Sequence, residues 1–112
     1  MSRQTYRTAG MAEPVYPPCK LVQLDGSEAG QTHSLAEPEV VAGNGTDCDI
    51  LVQHDTVSRR HFVISRGERS YMIRDLGSTN GTWVNGVRVK EAYLHPGVVI
   101  HAGRVSFRLE PI

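Results

Sequence analysis

The sequence predicts an all-β domain, a sandwich or barrel built from short strands. Three observations carry that expectation. Candidate strands recur about every eight to twelve residues between clusters of turn residues. No window repeats apolar residues at i, i+3, i+4 and i+7 through three turns, so nothing long reads as a helix. The chain also holds 11 glycines, many beside Asn or Asp, which meets the turn demand of an all-β chain.

The elements follow in order. Residues 1–18 read as a flexible N-terminal tail. Met1-Ser2-Arg3-Gln4 shows no apolar period, and Pro14, Pro17 and Pro18 remove backbone donors. Thr5 and Thr8 make that tail a candidate docking or phosphorylation segment as well as a plain leader. Residues 19–112 read as one folded domain. Its first strand is Lys20 to Leu24, closed by Asp25-Gly26. Thr32 to Leu35 and Glu39 to Ala42 follow, separated by Pro38, and Ile50 to Val52 is short and apolar. His61 to Ser65 ends at Arg66-Gly67, and in Tyr71 to Asp75 the pair Tyr71/Ile73 alternates with Met72/Arg74. Thr82 to Val84 is aromatic and β-branched and runs into Asn85-Gly86, a strong hairpin signal. The last strand is the clearest: Val105, Phe107 and Leu109 alternate with Ser106, Arg108 and Glu110.

Bulk numbers narrow the function. The 112 residues are one domain's worth, 39% hydrophobic and 21% charged, which is globular rather than disordered. Lys plus Arg number 12 and Asp plus Glu number 12. A neutral balance lacks the long-range field behind nonspecific nucleic-acid or membrane binding. Cys19 and Cys48 match no zinc spacing and read as free thiols in a reducing cytosol. No run has the length of a membrane span, and no signal-peptide h-region opens the chain. The expected location is cytoplasmic.

The informative stretch is 43–86. It holds three polar clusters between strands: Gly43-Asn44-Gly45, Val57-Ser58-Arg59-Arg60-His61, and Asp75-Leu76-Gly77-Ser78-Thr79-Asn80-Gly81-Thr82. Clusters between strands are loops, and in a sandwich loops gather at the two ends. Ser58, Arg59, Thr79 and Asn80 offer hydroxyl, guanidinium and amide donors, and glycines let backbone N–H groups approach a ligand. Neutral donors with one or two arginines suit a phosphate or carboxylate ester on a peptide. Bond breaking would need a carboxylate pair or a nucleophile–base set, which the clusters lack.

In order and spacing, Ser58-Arg59-Arg60-His61, Asp75 to Thr82, and Asn85-Gly86 resemble the forkhead-associated (FHA) family. The likeness covers about residues 20–110 of the sequence. It implies an FHA-like β-sandwich, of the SMAD/FHA type, with about eleven strands and functional loops at one end. It also implies a binding module rather than an enzyme. The ligand would be a phosphothreonine-containing protein or peptide, supplied by a Ser/Thr kinase, with no cofactor, metal, membrane or direct nucleic-acid contact. Carried over by position, Ser58 would hydrogen-bond the phosphate, Arg59 would add a charge-assisted contact with Arg60 beside it, and Thr79 would lie near the phosphate. Asn80 would hold the peptide backbone. Gly43, His61, Gly81 and Asn85 would brace the loops.

One position departs from the family pattern. Where the family carries a phosphate-gripping arginine after its first glycine, this chain has Asn44. Asn supplies neither a cation nor a planar fork. A lost charge-assisted bond is worth about 1.5–3 kcal/mol, enough to weaken phosphopeptide affinity by about one to two orders of magnitude unless Arg59 or Arg60 compensates from the next loop. The alternative is a phosphate-independent FHA-like domain that binds a partner or regulates attached domains. A finer likeness, in Val87-Arg88-Val89, Glu91-Ala92-Tyr93-Leu94 and Pro96-Gly97, is to N-terminal FHA domains of bacterial enhancer-dependent transcription regulators. In those, an ATPase domain and a DNA-binding domain would follow.

Other readings weigh less. Ser58 and His61 could form a nucleophile and base, but no orienting carboxylate is set beside them. His33, His54, His95 and His101 lack paired ligand spacing for zinc. Asp47 and Asp49 read as turn residues before a strand rather than calcium ligands. Trp83, mid-strand, reads as core.

Overall fold

A computed structural model describes residues 17–112. Among the described residues eleven strands form, all of them short: β1 (Cys19–Gln23), β2 (Thr32–Ser34), β3 (Glu39–Gly43), β4 (Ile50–Leu51), β5 (Phe62–Arg66), β6 (Tyr71–Asp75), β7 (Thr82–Val84), β8 (Val87–Val89), β9 (Glu91–Leu94), β10 (Val99–Ala102) and β11 (Val105–Pro111). No helix is present among them. The eight strands read individually from the sequence lie within two residues of their observed bounds at each end. β8, β9 and β10 were not read as separate strands. Each is only three or four residues long, and Val87–Val89 has no buried residue to mark an inner face.

The strands make two sheets. One is five-stranded, in the order β9-β6-β5-β3-β4; the other is six-stranded, in the order β2-β1-β11-β10-β7-β8. All pairings are antiparallel except β3 with β4. Period-two alternation points Phe62, Ile64 and Ile73 of the first sheet, and Leu21, Ile100, Phe107 and Leu109 of the second, into one dry layer. Phe62 meets Phe107 edge to face at 6.1 Å across that layer. The Tyr71 hydroxyl accepts the Cys19 N–H at 2.9 Å, a second tie between the sheets.

Chain direction decides where the polar loops fall. β3 runs toward the loop 44–49, β5 starts from the loop 52–61, and β6 runs into the loop 76–81. Because these three neighbours are antiparallel, all three loops emerge at one end. β7 opposes β10 with Thr82 beside Ala102, which brings the 103–104 turn to the same end. The Asn85-Gly86 hairpin closes at the far end of β7, with positive φ at both residues as a tight two-residue turn demands. The Asn85 side-chain oxygen accepts the Val99 N–H at 2.9 Å, so the turn is fastened to β10.

Candidate functional site

The first site loop is laced to the second by its backbone. Asn44 N–H donates to the Ser58 carbonyl and Gly45 N–H to the Arg59 carbonyl, each at 3.0 Å. This approach is so close that a Cβ on Gly43 would sit 2.2 Å from the Arg59 carbonyl oxygen. Glycine is therefore required at 43 by proximity rather than by dihedral angle. The Asn44 side chain joins the same lacing: its Nδ2 donates to the Val57 carbonyl at 2.6 Å. Its amide thus closes the loop pair where the family pattern has a cation reaching outward.

His61 ties the second loop to the third. It is fully buried, and its Nδ1 accepts the Ser58 N–H at 3.0 Å while its Nε2 lies 2.7 Å from the Gly81 carbonyl. An acceptor at Nδ1 and a carbonyl facing Nε2 define the neutral tautomer with its proton on Nε2. Burial holds the imidazole below its ordinary pKa, against the pull of the Gly81 carbonyl and the Asp75 charge. Both ring nitrogens face backbone groups, so neither is placed to take a proton from the Ser58 hydroxyl. The nucleophile–base reading of Ser58 and His61 fails on that geometry.

Ser58 points the other way. Its Oγ accepts the Thr79 N–H at 3.1 Å, which leaves the hydroxyl proton free to be donated to a ligand. The third loop is organised from below by Asp75. One carboxylate oxygen accepts the Gly77 and Ser78 N–H groups, and the other accepts the Ser78 and Thr82 hydroxyls. Burial alone would raise the Asp75 pKa. The Ser78 and Thr82 hydroxyls, with the Ser78 and Gly77 N–H groups, outweigh it and hold the carboxyl below its ordinary range. Ser78 Oγ in turn accepts the Gly81 N–H at 3.0 Å, and Gly81 has φ +89°, a conformation that favours glycine.

Thr79 and Asn80 stand exposed at the crest of this loop. Asn80 Nδ2 donates to the Thr56 carbonyl at 2.8 Å, and the Asn80 carbonyl accepts the Trp83 indole N–H at 3.2 Å. Trp83 is therefore not a core residue, contrary to the sequence expectation. Thr82 takes the inward-facing position of β7 and is fully buried, and alternation puts Trp83 outside, half-buried. Arg59 is exposed and has no ion-pair partner among the described residues. Arg60 is exposed too but leans to Asp47 at 3.6 Å. Asp49 accepts the Val41 N–H at 2.9 Å, and no group of three or more metal-ligating side chains occurs among the described residues.

Asn44, Ser58, Arg59, Thr79 and Asn80 thus lie along one contact-linked ridge, with Gly43, His61 and Gly81 beneath it. Asn85 lies at the opposite end, and Arg60 is drawn aside. The sequence reading assigned no role to Thr56, Asp75 or Ser78. The Asp75-x-x-Ser78 spacing is a local turn signal that could have been used. The Thr56 contribution is a backbone carbonyl, on which its side chain leaves no mark.

A family model described as the FHA domain matches residues 40–103, the stretch that holds the whole ridge. The chain belongs to the FHA domain family. Its relatives include the glycogen accumulation regulator GarA of Mycolicibacterium smegmatis, 41% identical over 91 residues that make 80% of this chain and 55% of GarA. FhaB of Mycobacterium tuberculosis is 32% identical over 92 residues, 81% of this chain and 59% of FhaB. The chain therefore spans little more than half the length of these curated relatives. Among solved structures, the FhaA FHA domain complexed with the intracellular domain of Rv3910 superposes with a TM-score of 0.76 at 36% identity, covering 82% of this chain and 99% of that one. Another, from a study of phosphothreonine-dependent FHA domain interactions, superposes at 0.78 with 35% identity and covers 85% and 97%. The FHA fold expected from the sequence is thus the fold observed. The finer likeness to enhancer-dependent regulators gains nothing from these relatives.

Proposed function

We propose that this FHA domain is a protein-interaction module for a phosphothreonine-containing partner in bacterial signalling, and not an enzyme. The observation that carries the reading is the ridge itself. The Ser58 hydroxyl has a proton to give, Arg59 next to it is an exposed cation with no ion-pair partner among the described residues, and Asn80 is fixed by two hydrogen bonds. Several preorganised donors of this kind suit a phosphate dianion, and a fixed side-chain amide beside them can hold an extended peptide's backbone in register. The phosphothreonine-dependent interactions of a relative with the same fold support it. In this reading Ser58 and Arg59 contact the phosphate, Thr79 borders it, Asn80 holds the peptide backbone, and Asn44 shapes the loops rather than gripping the ligand. Arg60 lends charge from its pair with Asp47. Residues 19–112 act as the binding unit, in a cytoplasmic setting with a Ser/Thr kinase upstream. Attached ATPase and DNA-binding domains in a longer parent protein rest on the Val87–Gly97 sub-pattern alone.

The test is a paired titration, by calorimetry or fluorescence anisotropy, of a phosphothreonine peptide library and its unphosphorylated twin. Binding confined to the phosphorylated set, and weakened about ten- to hundredfold by Ser58→Ala, is expected. Equal binding to both sets would instead support a phosphate-independent interaction domain.

A further inference from the structure

The ridge continues past Asn80 to a second cation. Arg88 on β8 stands directly opposite Trp83 on β7. Its guanidinium carbon lies 6.0 Å from the Trp83 ring centroid, within the range of a cation–π contact. The same guanidinium covers Gly81: a Cβ there would meet Arg88 Nε at 2.6 Å and Trp83 Nε1 at 3.0 Å. Trp83 meanwhile holds the Asn80 carbonyl. The contacts therefore run in sequence from Gly45 and Arg59, through Ser58 and Thr79, to Asn80 and Gly81, and end on Trp83 and Arg88. Arg59 and Arg88 are thus the first and last cations of this contact series.

Arg88 differs from an ordinary surface arginine in two respects. It has no carboxylate partner among the described residues. Its fork is also already held against a ring and a glycine, so less side-chain freedom is lost when it takes a ligand. Arg88 lies over Gly81, the residue next to Asn80, so a peptide backbone held by Asn80 brings a residue flanking the phosphothreonine within reach of Arg88. We propose that Arg88, seated on Trp83 beside Gly81, reads an anionic group flanking the phosphothreonine and so selects among phosphorylated partners. This rests on the phosphothreonine reading above and adds a sequence preference to it.

The experiment compares phosphothreonine peptides in sets of three that differ only in the flanking residues: neutral, glutamate-bearing, or carrying a second phosphate as phosphoserine. Both flanks are scanned, because either peptide direction brings one of them to Arg88. Wild type is expected to prefer an anionic flank about two- to fivefold, as suits an exposed pair, with the preference shrinking as salt rises. The glutamate and phosphoserine arms distinguish a carboxylate from a phosphate as the preferred group. In Arg88→Gln the ratio of anionic to neutral affinities should fall to about one. A thermal melt of that variant shows that it is folded, and Arg88→Lys should restore part of the ratio. Wild type that binds all the phosphopeptides equally would overturn the proposal while leaving the phosphothreonine reading intact. Arg104, exposed in the 103–104 turn at the same end, is the competing cation, and loss of the preference in Arg104→Gln rather than Arg88→Gln would overturn the assignment to Arg88. No binding to any phosphorylated peptide would remove the reading beneath it, and the proposal with it.

Discussion

At the scale of single residues, the site is set by which groups are already occupied. Asn44 has one amide N–H on the Val57 carbonyl, and Ser58 Oγ already accepts from Thr79. What differs is the remainder: Ser58 keeps a proton to donate, and Asn44 has no charge to offer. Asn44→Arg should therefore tighten phosphothreonine-peptide binding about tenfold, because it adds a charge-assisted contact. It should also lower the melting midpoint slightly through loss of the Val57 bond. Titration and a melt of the same variant check both effects. Gly43 shows the opposite case, a residue defined by lack of room. Gly43→Ala places a methyl group 2.2 Å from the Arg59 carbonyl oxygen, so backbone must move. The expected cost is about 1–3 kcal/mol, measured by urea denaturation, together with weaker peptide binding because Ser58 and Arg59 are displaced.

At the scale of elements, the 76–81 loop owes its shape to one carboxylate. Asp75 closes β6 and collects four hydrogen bonds from Gly77, Ser78 and Thr82, which links the end of one sheet to the start of β7 in the other. Asp75→Asn keeps the shape but loses the charge and turns part of the acceptor set into a donor. A loss of about 1–3 kcal/mol is expected, with faster hydrogen exchange at Gly77, Ser78 and Gly81 than in the distant β1–β2 pair. Uniformly faster exchange across both sheets would show that the carboxylate stabilises the fold at large rather than this loop.

At the scale of the whole molecule, the two sheets and their shared end make stability depend on pH. His61 has a folded pKa below its ordinary 6.5, and burial moves His33 the same way. Between the lowered folded values and 6.5 the unfolded chain binds more protons, so stability falls as pH drops through that interval and is fully present above it. Asp75, held below its ordinary 3.8, keeps its contribution above that value and loses it as pH falls through its folded pKa. Thermal midpoints should therefore decline from pH 7.5 to pH 5 and fall further in stronger acid. His33→Gln should flatten the upper decline only in part, since His61 remains; complete flattening would remove His61 as a contributor.

How much of this was open to reading from the chain alone depends on the range of the forces involved. Strand existence follows from side-chain alternation and turn chemistry, which are local, so eight strands could be read directly. The family likeness supplied the total and located the loops. Ser58, Thr79 and Asn80 were legible as donors through an order and spacing that resemble the family; position between strands alone does not separate a donor from a turn brace such as Ser78. The direction in which each donor points was not legible. Asn44 turning to Val57, His61 facing two backbone groups, and Arg60 leaning to Asp47 all depend on loops brought together by antiparallel pairing. Trp83 is the clearest instance, since alternation permits either face and only the inward placement of Thr82 puts the indole outside. The sequence by itself determined the module and its inventory of ligand-binding groups, because period and turn residues act over a few positions. Only the tertiary structure decided which of those groups remain free and that Arg88 joins them, because each pairing closes a loop between residues far apart in the chain.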